Sequence, residues 1–156
     1  MARRKTTYFP RNPGVPAPIS VEVPARVRFS ETDPMGIVWF GRYPAYFELG
    51  SEELGLKCGL SYRNFYEAGL RAPIVECHVD YHEPLGLGDE FIIRASLVWN
   101  EGSRIDTEYQ LLNKRGAVAT SGYTVQLIID TAGRVCIASP PLLETCRRRW
   151  REGRIA

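Results

Sequence analysis

Residues 30–43 read Ser30-Glu31-Thr32-Asp33-Pro34-Met35-Gly36-Ile37-Val38-Trp39-Phe40-Gly41-Arg42-Tyr43 and separate a strand-like pattern from a helix-like one. Pro34 disfavours helical backbone for Asp33, and Gly36 supplies a conformation that other residues resist. The stretch therefore predicts a turn that holds the Asp33 carboxylate, followed by the start of a helix. The free amides of a helix start stabilise negative charge, so Phe40 and Gly41 are expected to contribute anion-stabilising donors to the same pocket.

The patterns on either side of this stretch predict a strand before it and a long helix after it. From Val23 to Phe29, apolar residues alternate with polar ones or proline, which is the period of a half-buried strand. Residues 44–58 have helical spacing, and Gly59 is a typical helix end. Gly50 costs about 1 kcal/mol in a helix interior, which is understandable if the helix must approach a sheet closely.

Four more strands are expected after the helix, separated by turns rich in glycine and asparagine. A long helix and several half-buried strands bury their apolar faces best when the strands form one sheet around the helix. The predicted fold class is α+β, with an antiparallel sheet wrapped around one long central helix. The strand candidates are residues 74–82, 90–99, 103–112 and 117–129, and shorter helices are predicted at 62–67 and 140–151.

The predicted organisation is a flexible N-terminal arm at 1–20, one domain at 21–139 and a basic C-terminal helix or tail at 140–156. Length and a 44% hydrophobic content suit a single domain, and a net charge of +2 does not call for a nucleic acid or a membrane partner. The arginine-rich ends are expected to be solvated. Four cysteines without CxxC spacing, no secretory segment and no membrane-length apolar run predict a soluble, cytoplasmic protein with reduced thiols.

The element order and the pattern D-P-x-G-I-V-[FW]-[FY], which begins at Asp33, resemble the hotdog-fold acyl-CoA thioesterases, in particular the 4-hydroxybenzoyl-CoA thioesterase type. The resemblance runs from about Val23 to Ile129. It implies hydrolysis of acyl-CoA, with Asp33 as general base or nucleophile and the backbone amide of Phe40 as oxyanion donor. It also implies a homodimer or homotetramer with the active site between subunits, and no cofactor.

The remaining site residues are assigned on the same resemblance. Gly36, Trp39, Gly41 and Tyr43 are expected to border the substrate pocket, and Arg104 to bind the phosphates of CoA. No metal is predicted, although the strand pattern places three potential ligands on one side of a strand. These are His78, Asp80 and His82.

Two other functions stay open. A hotdog hydratase or dehydratase would act on the same acyl carriers, but it usually needs a histidine, and none is near Asp33 in the sequence. A non-catalytic acyl-CoA-binding regulator is the second alternative, with the basic C-terminus as a nucleic-acid contact. Glu48 on the predicted helix suits either an auxiliary carboxylate or an exposed helix charge.

Overall fold

A computed structural model describes residues 4–155. These residues form one main sheet, a long helix and two shorter helices. The elements in chain order are β1 Ile19–Arg26, α1 Tyr43–Cys58, α2 Tyr62–Glu67, β2 Leu70–Arg71, β3 Ile74–Tyr81, β4 Glu90–Val98, β5 Arg104–Asn113, β6 Val118–Leu127, β7 Ile129–Asp130 and α3 Pro141–Arg151, with 3₁₀ turns at Phe29–Glu31 and Phe40–Arg42.

The main sheet has the strand order β1-β4-β5-β6-β3, and every neighbouring pair is antiparallel. One face of the sheet packs against α1, so alternate residues of the central strands, such as Ile93, Ala95 and Leu111, are fully buried. A separate two-stranded sheet joins β2 to β7. The predicted α+β fold, an antiparallel sheet around one central helix, is confirmed.

The long helix lies very close to the sheet at Gly50. A Cβ atom added there would be 2.9 Å from Cβ of Ala95 and 3.0 Å from Cγ2 of Ile93, so only glycine fits without displacement. The ring of Phe47 stacks on Tyr109 at 4.3 Å between centroids. Gly59 ends the helix with φ of +73°, as the sequence predicted.

The first strand differs from the prediction at both ends. It begins at Ile19 and ends at Arg26, which pairs with Glu90, the first residue of β4. Because the partner strand starts there, the chain leaves the sheet, and Phe29 lies in a 3₁₀ turn with 81% of its surface exposed. The alternation up to Phe29 therefore does not continue the strand.

The segment before β1 lies across the outer face of the sheet, the face opposite α1. The amides of Tyr8 and Phe9 donate to one carboxylate oxygen of Glu108 at 2.7 and 2.9 Å, and Arg11 pairs with the other oxygen. The Tyr8 hydroxyl donates to Asp80 at 2.7 Å and holds the pKa of that carboxyl below its usual range. The division into arm, domain and tail stays a prediction.

The C-terminal helix packs on the end of the sheet through Leu143, Cys146 and Trp150. The Trp150 ring meets Trp99 edge-on at 5.0 Å, and its indole N–H donates to the Ala17 carbonyl. Within residues 4–155, no helix is long and apolar enough to cross a membrane.

Candidate active site

The Asp33 turn is closed by two backbone hydrogen bonds. The Gly36 amide donates to the Asp33 carbonyl, and the Asp33 amide donates to the Ile37 carbonyl, both at 2.9 Å. Gly36 has φ of +76°, a conformation that side chains disfavour. The Met35 amide donates to Oδ1 of Asp33 at 2.8 Å, while Oδ2 accepts no hydrogen bond from another group in the described part of the chain. The carboxylate is thus oriented and retains a free oxygen.

The turn is the tip of a small hairpin that leads back to the helix start. The Trp39 amide donates to the Glu31 carbonyl at 2.9 Å, and Thr32 forms a bridge with Val38. Since a strand advances about 3.3 Å per residue, Phe40 lies within roughly 10 Å of the Asp33 turn. The loop before β4 supports the hairpin from the side, because the Val38 amide donates to the Leu85 carbonyl at 2.8 Å.

The helix start presents free donors next to this hairpin. The 3₁₀ turn Phe40–Arg42 runs directly into α1, whose first turn contains Pro44. Among residues 4–155, the amides of Phe40 and Gly41 donate to no protein acceptor. Such amides form the positive end of the helix and stabilise a nearby anion.

Glu31 connects the hairpin to the helix. Its Oε2 atom accepts hydrogen bonds from the Arg28 amide and from the Tyr46 hydroxyl, both at 2.8 Å. Tyr46 is a buried residue of α1. Its burial, and to a lesser extent the hydrogen bond to the Glu31 carboxylate, raise the pKa of its hydroxyl, so the hydroxyl stays a donor. This pair fixes the hairpin relative to α1 without involving Asp33.

The aromatic side chains of this region divide into exposed and buried ones. Trp39 and Phe40 are 47% and 67% exposed, and the Trp39 ring lies over Gly41, where an added Cβ would be 2.5 Å from it. Tyr43 is buried, and burial raises the pKa of its hydroxyl. Tyr43 is thus a core residue beneath the site, in edge-on contact with Tyr46 and with Tyr81 of β3.

The structure does not bring Arg104 to the Asp33 turn of the same chain. Arg104 begins β5, whereas the turn follows β1 at the other end of the sheet, roughly 30 Å away along the strands. Its guanidinium binds the buried Asp106 carboxylate at 2.8 Å and covers the ring of Phe9 on the outer face. Arg104 therefore neutralises a buried acid within its own subunit.

A groove of about 1070 Å³ runs along α1 on the side of β3 and α2. It begins at Pro44, four residues after Phe40, and continues to Cys58 at the end of the helix. Its polar residues on the helix are Glu48, Ser51 and Glu52, and the rest is largely apolar. The apolar walls include Phe47, Leu54, Phe65, Leu97, Ile105 and Tyr109.

The three potential metal ligands of β3 and the following turn lie on the outer face, away from the groove. His78 Nε2 is 3.0 Å from Asp80 Oδ2, and His82 Nε2 is 2.7 Å from the Ser121 hydroxyl. Within residues 4–155, no three His, Cys, Asp or Glu side chains are arranged to hold a metal ion. These residues instead take part in the hydrogen-bond network around Tyr8.

Comparison with known proteins identifies relatives along most of the chain. Residues 27–148 match the family described as Thioesterase-like superfamily. A 1,4-dihydroxy-2-naphthoyl-CoA hydrolase of Synechococcus sp. (strain CC9605) is 30% identical over 85% of this chain and 89% of its own. A putative acyl-CoA thioesterase of Bacillus subtilis is 26% identical over 67% of this chain and 75% of its own.

Solved structures share the fold. The DHNA-CoA thioesterase from Staphylococcus aureus superposes with a TM-score of 0.74 at 21% identity and covers 88% of this chain and 97% of its own. The gentisyl-coenzyme A thioesterase BH1999 superposes with a TM-score of 0.69 at 22% identity and covers 80% of this chain and 99% of its own. The prediction of a thioesterase enzyme is confirmed by the relatives. Since the family match runs from the end of β1 into α3, this chain belongs to the thioesterase-like superfamily.

Proposed function

We propose that this protein hydrolyses acyl-CoA thioesters to a free acid and CoA. The observation that carries the proposal is the Asp33 carboxylate, which the turn orients beside a helix start with free amides at Phe40 and Gly41. Thioester hydrolysis needs these two components, a base or nucleophile and donors for the developing oxyanion. The names of the naphthoyl-CoA and acyl-CoA hydrolases among the relatives support the same reaction.

In the proposed reaction the thioester carbonyl oxygen accepts a hydrogen bond from the Phe40 amide. Asp33 either removes a proton from the attacking water or attacks the carbonyl carbon itself. The carbon–sulfur bond then breaks, and the CoA thiolate leaves and takes up a proton. Loss of one oxyanion donor typically costs about 3 kcal/mol of transition-state stabilisation. No metal or organic cofactor enters this chemistry.

The two roles of Asp33 can be distinguished by whether a water oxygen enters Asp33 itself, because water attack on the acyl carbonyl would label the product in either role. A single turnover in ¹⁸O-labelled water, with enzyme in excess, delivers label directly to the acid if Asp33 is a base. If Asp33 is a nucleophile, an acyl-aspartyl anhydride forms first. Label recovered in Asp33 would establish the nucleophilic role, because only water attack on the Asp33 carbonyl of that anhydride places it there.

The groove along α1 is the proposed site of the acyl group. Its lining includes Pro44 in the first turn of α1, a few residues after the exposed Trp39 and Phe40, and its walls are largely apolar. Gly36 shapes the turn, Gly41 leaves room for the Trp39 ring, and Tyr43 supports the helix start from the core. Binding of the CoA phosphates by Arg104 requires a second subunit, because Arg104 is remote from Asp33 within one chain.

We also propose a homodimer, or a homotetramer of two such dimers, in the cytoplasm. The edge strand β3 is mostly exposed, and its apolar residues Ile74 and Val75 are 59% and 51% accessible. Unpaired edges of this kind associate readily with a second strand. In the proposed dimer the partner covers the exposed Met35 and Phe40 near Asp33, so that the active site lies between subunits; the exposure of these two apolar side chains supports this.

A thiol-release assay over a panel of aromatic and aliphatic acyl-CoA esters tests the proposal. Hydrolysis of at least one ester, with saturation at micromolar to millimolar concentrations typical of enzymes, is the expected result. Tight binding of an acyl-CoA without thiol release would contradict the proposal and indicate a binding protein instead.

A further inference from the structure

Tyr81 makes a hydrogen bond that the proposed reaction does not use directly. It is the last residue of β3, and its hydroxyl donates to the Phe40 carbonyl oxygen at 2.8 Å. Its ring also meets the buried Tyr43 ring edge-on at 5.0 Å between centroids. The backbone of Tyr81 is fixed by pairing with Thr120 of β6. The hydroxyl is therefore held by the sheet against the first peptide of the helix start.

The peptide that Tyr81 contacts carries one of the two free amides. A peptide bond is planar and almost always trans, so its C=O and N–H point in opposite directions. A hydrogen bond that fixes the Phe40 carbonyl consequently fixes the direction of the Gly41 N–H. When the Phe40 carbonyl oxygen accepts this hydrogen bond, the peptide is also polarised, and the Gly41 N–H becomes a stronger donor.

A second side chain also contacts this segment. The Trp39 ring lies against the Cα of Gly41, so closely that an added Cβ would be 2.5 Å from the ring carbons Cη2 and Cζ3. The Phe40–Gly41 segment is thus contacted both by the Tyr81 hydroxyl, at the Phe40 carbonyl, and by the Trp39 ring, at Gly41. Burial raises the pKa of the Tyr81 hydroxyl, which keeps its proton available for donation.

We propose that Tyr81 is a positioning residue that orients the Phe40–Gly41 peptide, so that Gly41 N–H joins Phe40 N–H as a donor to the thioester oxyanion. This inference rests on the proposed hydrolysis. Tyr81 does not touch the substrate carbonyl. It acts on the transition state, where the oxyanion develops, more than on the bound ester.

The test compares Tyr81→Phe with wild type in steady-state hydrolysis of the best ester from the panel. The phenylalanine keeps the ring contact with Tyr43 and removes only the hydroxyl. We expect kcat to fall about five- to tenfold, the effect of one lost neutral hydrogen bond, while KM stays within about twofold. Tyr66→Phe is the matched control, because Tyr66 is an exposed tyrosine of α2 outside the site and the groove. Its kcat should equal that of wild type.

Thermal unfolding of each variant and an Asp33→Asn variant complete the experiment. A folded Tyr81→Phe enzyme with wild-type kcat, alongside an inactive Asp33→Asn enzyme, would overturn the positioning role and leave the proposed function intact. A KM increase without a kcat decrease would also overturn it, since it would show that Tyr81 acts on binding. A wild-type protein without hydrolysis of any ester would overturn the proposed function and the role of Tyr81 together.

Discussion

Replacement of Gly50 with alanine measures how closely α1 is held on the sheet. The new methyl group would meet Cβ of Ala95 at 2.9 Å and Cγ2 of Ile93 at 3.0 Å, whereas carbon atoms prefer about 3.5–4.0 Å. Alanine gains about 1 kcal/mol of helix propensity over glycine, and overpacking of a full core costs typically 1–3 kcal/mol. Ile93 and Ala95 are both 0% exposed and have no room to yield, so we expect net destabilisation of about 1 kcal/mol.

A double-mutant cycle isolates this contact. Ala95→Gly removes the nearest atom, so the combined variant should be more stable than the sum of the two single changes predicts, by about 1 kcal/mol. Urea unfolding followed by circular dichroism gives the free energies, with unchanged m-values as the requirement for a two-state comparison. Additive free energies, or a Gly50→Ala variant more stable than wild type, would refute the close approach of helix and sheet.

Three further changes test the site and its surroundings. Arg104→Ala should cost about 2 kcal/mol at pH 7, because it leaves the buried Asp106 carboxylate without its ion pair. The loss should be smaller at about pH 3.5, because burial raises the pKa of Asp106 and the folded protein therefore protonates this carboxyl more readily than the unfolded chain does. Urea unfolding at both pH values checks this, and an equal loss would contradict it. If Arg104 also binds the CoA phosphates, Arg104→Ala should raise KM for CoA esters at low salt while kcat is retained. Exhaustive removal of metal ions with a chelator should leave the rate of hydrolysis unchanged. A loss of activity that zinc restores would contradict this. Gly41→Ala should displace the half-exposed Trp39 ring and lower kcat/KM about tenfold, with stability within about 1 kcal/mol of wild type; wild-type kinetics would contradict it.

The long helix and its surroundings were predictable because their signals are local. Gly59 marks the end of α1, and α2 occupies Tyr62–Glu67 as predicted, since caps and helical spacing depend on neighbouring residues. Gly50 indicated a close approach to a sheet, although not the residues that it meets. The Asp33 turn follows from Pro34 and Gly36, which restrict the backbone without help from distant residues.

Contacts between distant residues were not predictable from the same patterns. Tyr8 and Glu108 are a hundred positions apart, so nothing local indicates that the N-terminal segment crosses the outer face. Alternation predicted β1 up to Phe29, because it carries no information on where the partner strand begins. The alternation of β3 puts Tyr81 on the side opposite His78, Asp80 and His82, but its hydrogen bond to Phe40 depends on how the strand and the helix start meet.

The central claim is that Asp33 performs the chemistry, and Asp33→Asn tests it most directly. The asparagine keeps the shape of the turn and the acceptor for the Met35 amide while it removes the charge. We predict a folded, normally assembled protein whose single-turnover hydrolysis is at least ~100-fold slower than wild type, the lower range for loss of a positioned proton-transfer group. Near wild-type turnover of purified Asp33→Asn, with deamidation and contaminating thioesterase excluded by mass spectrometry and a mock purification, would show that Asp33 only shapes the turn.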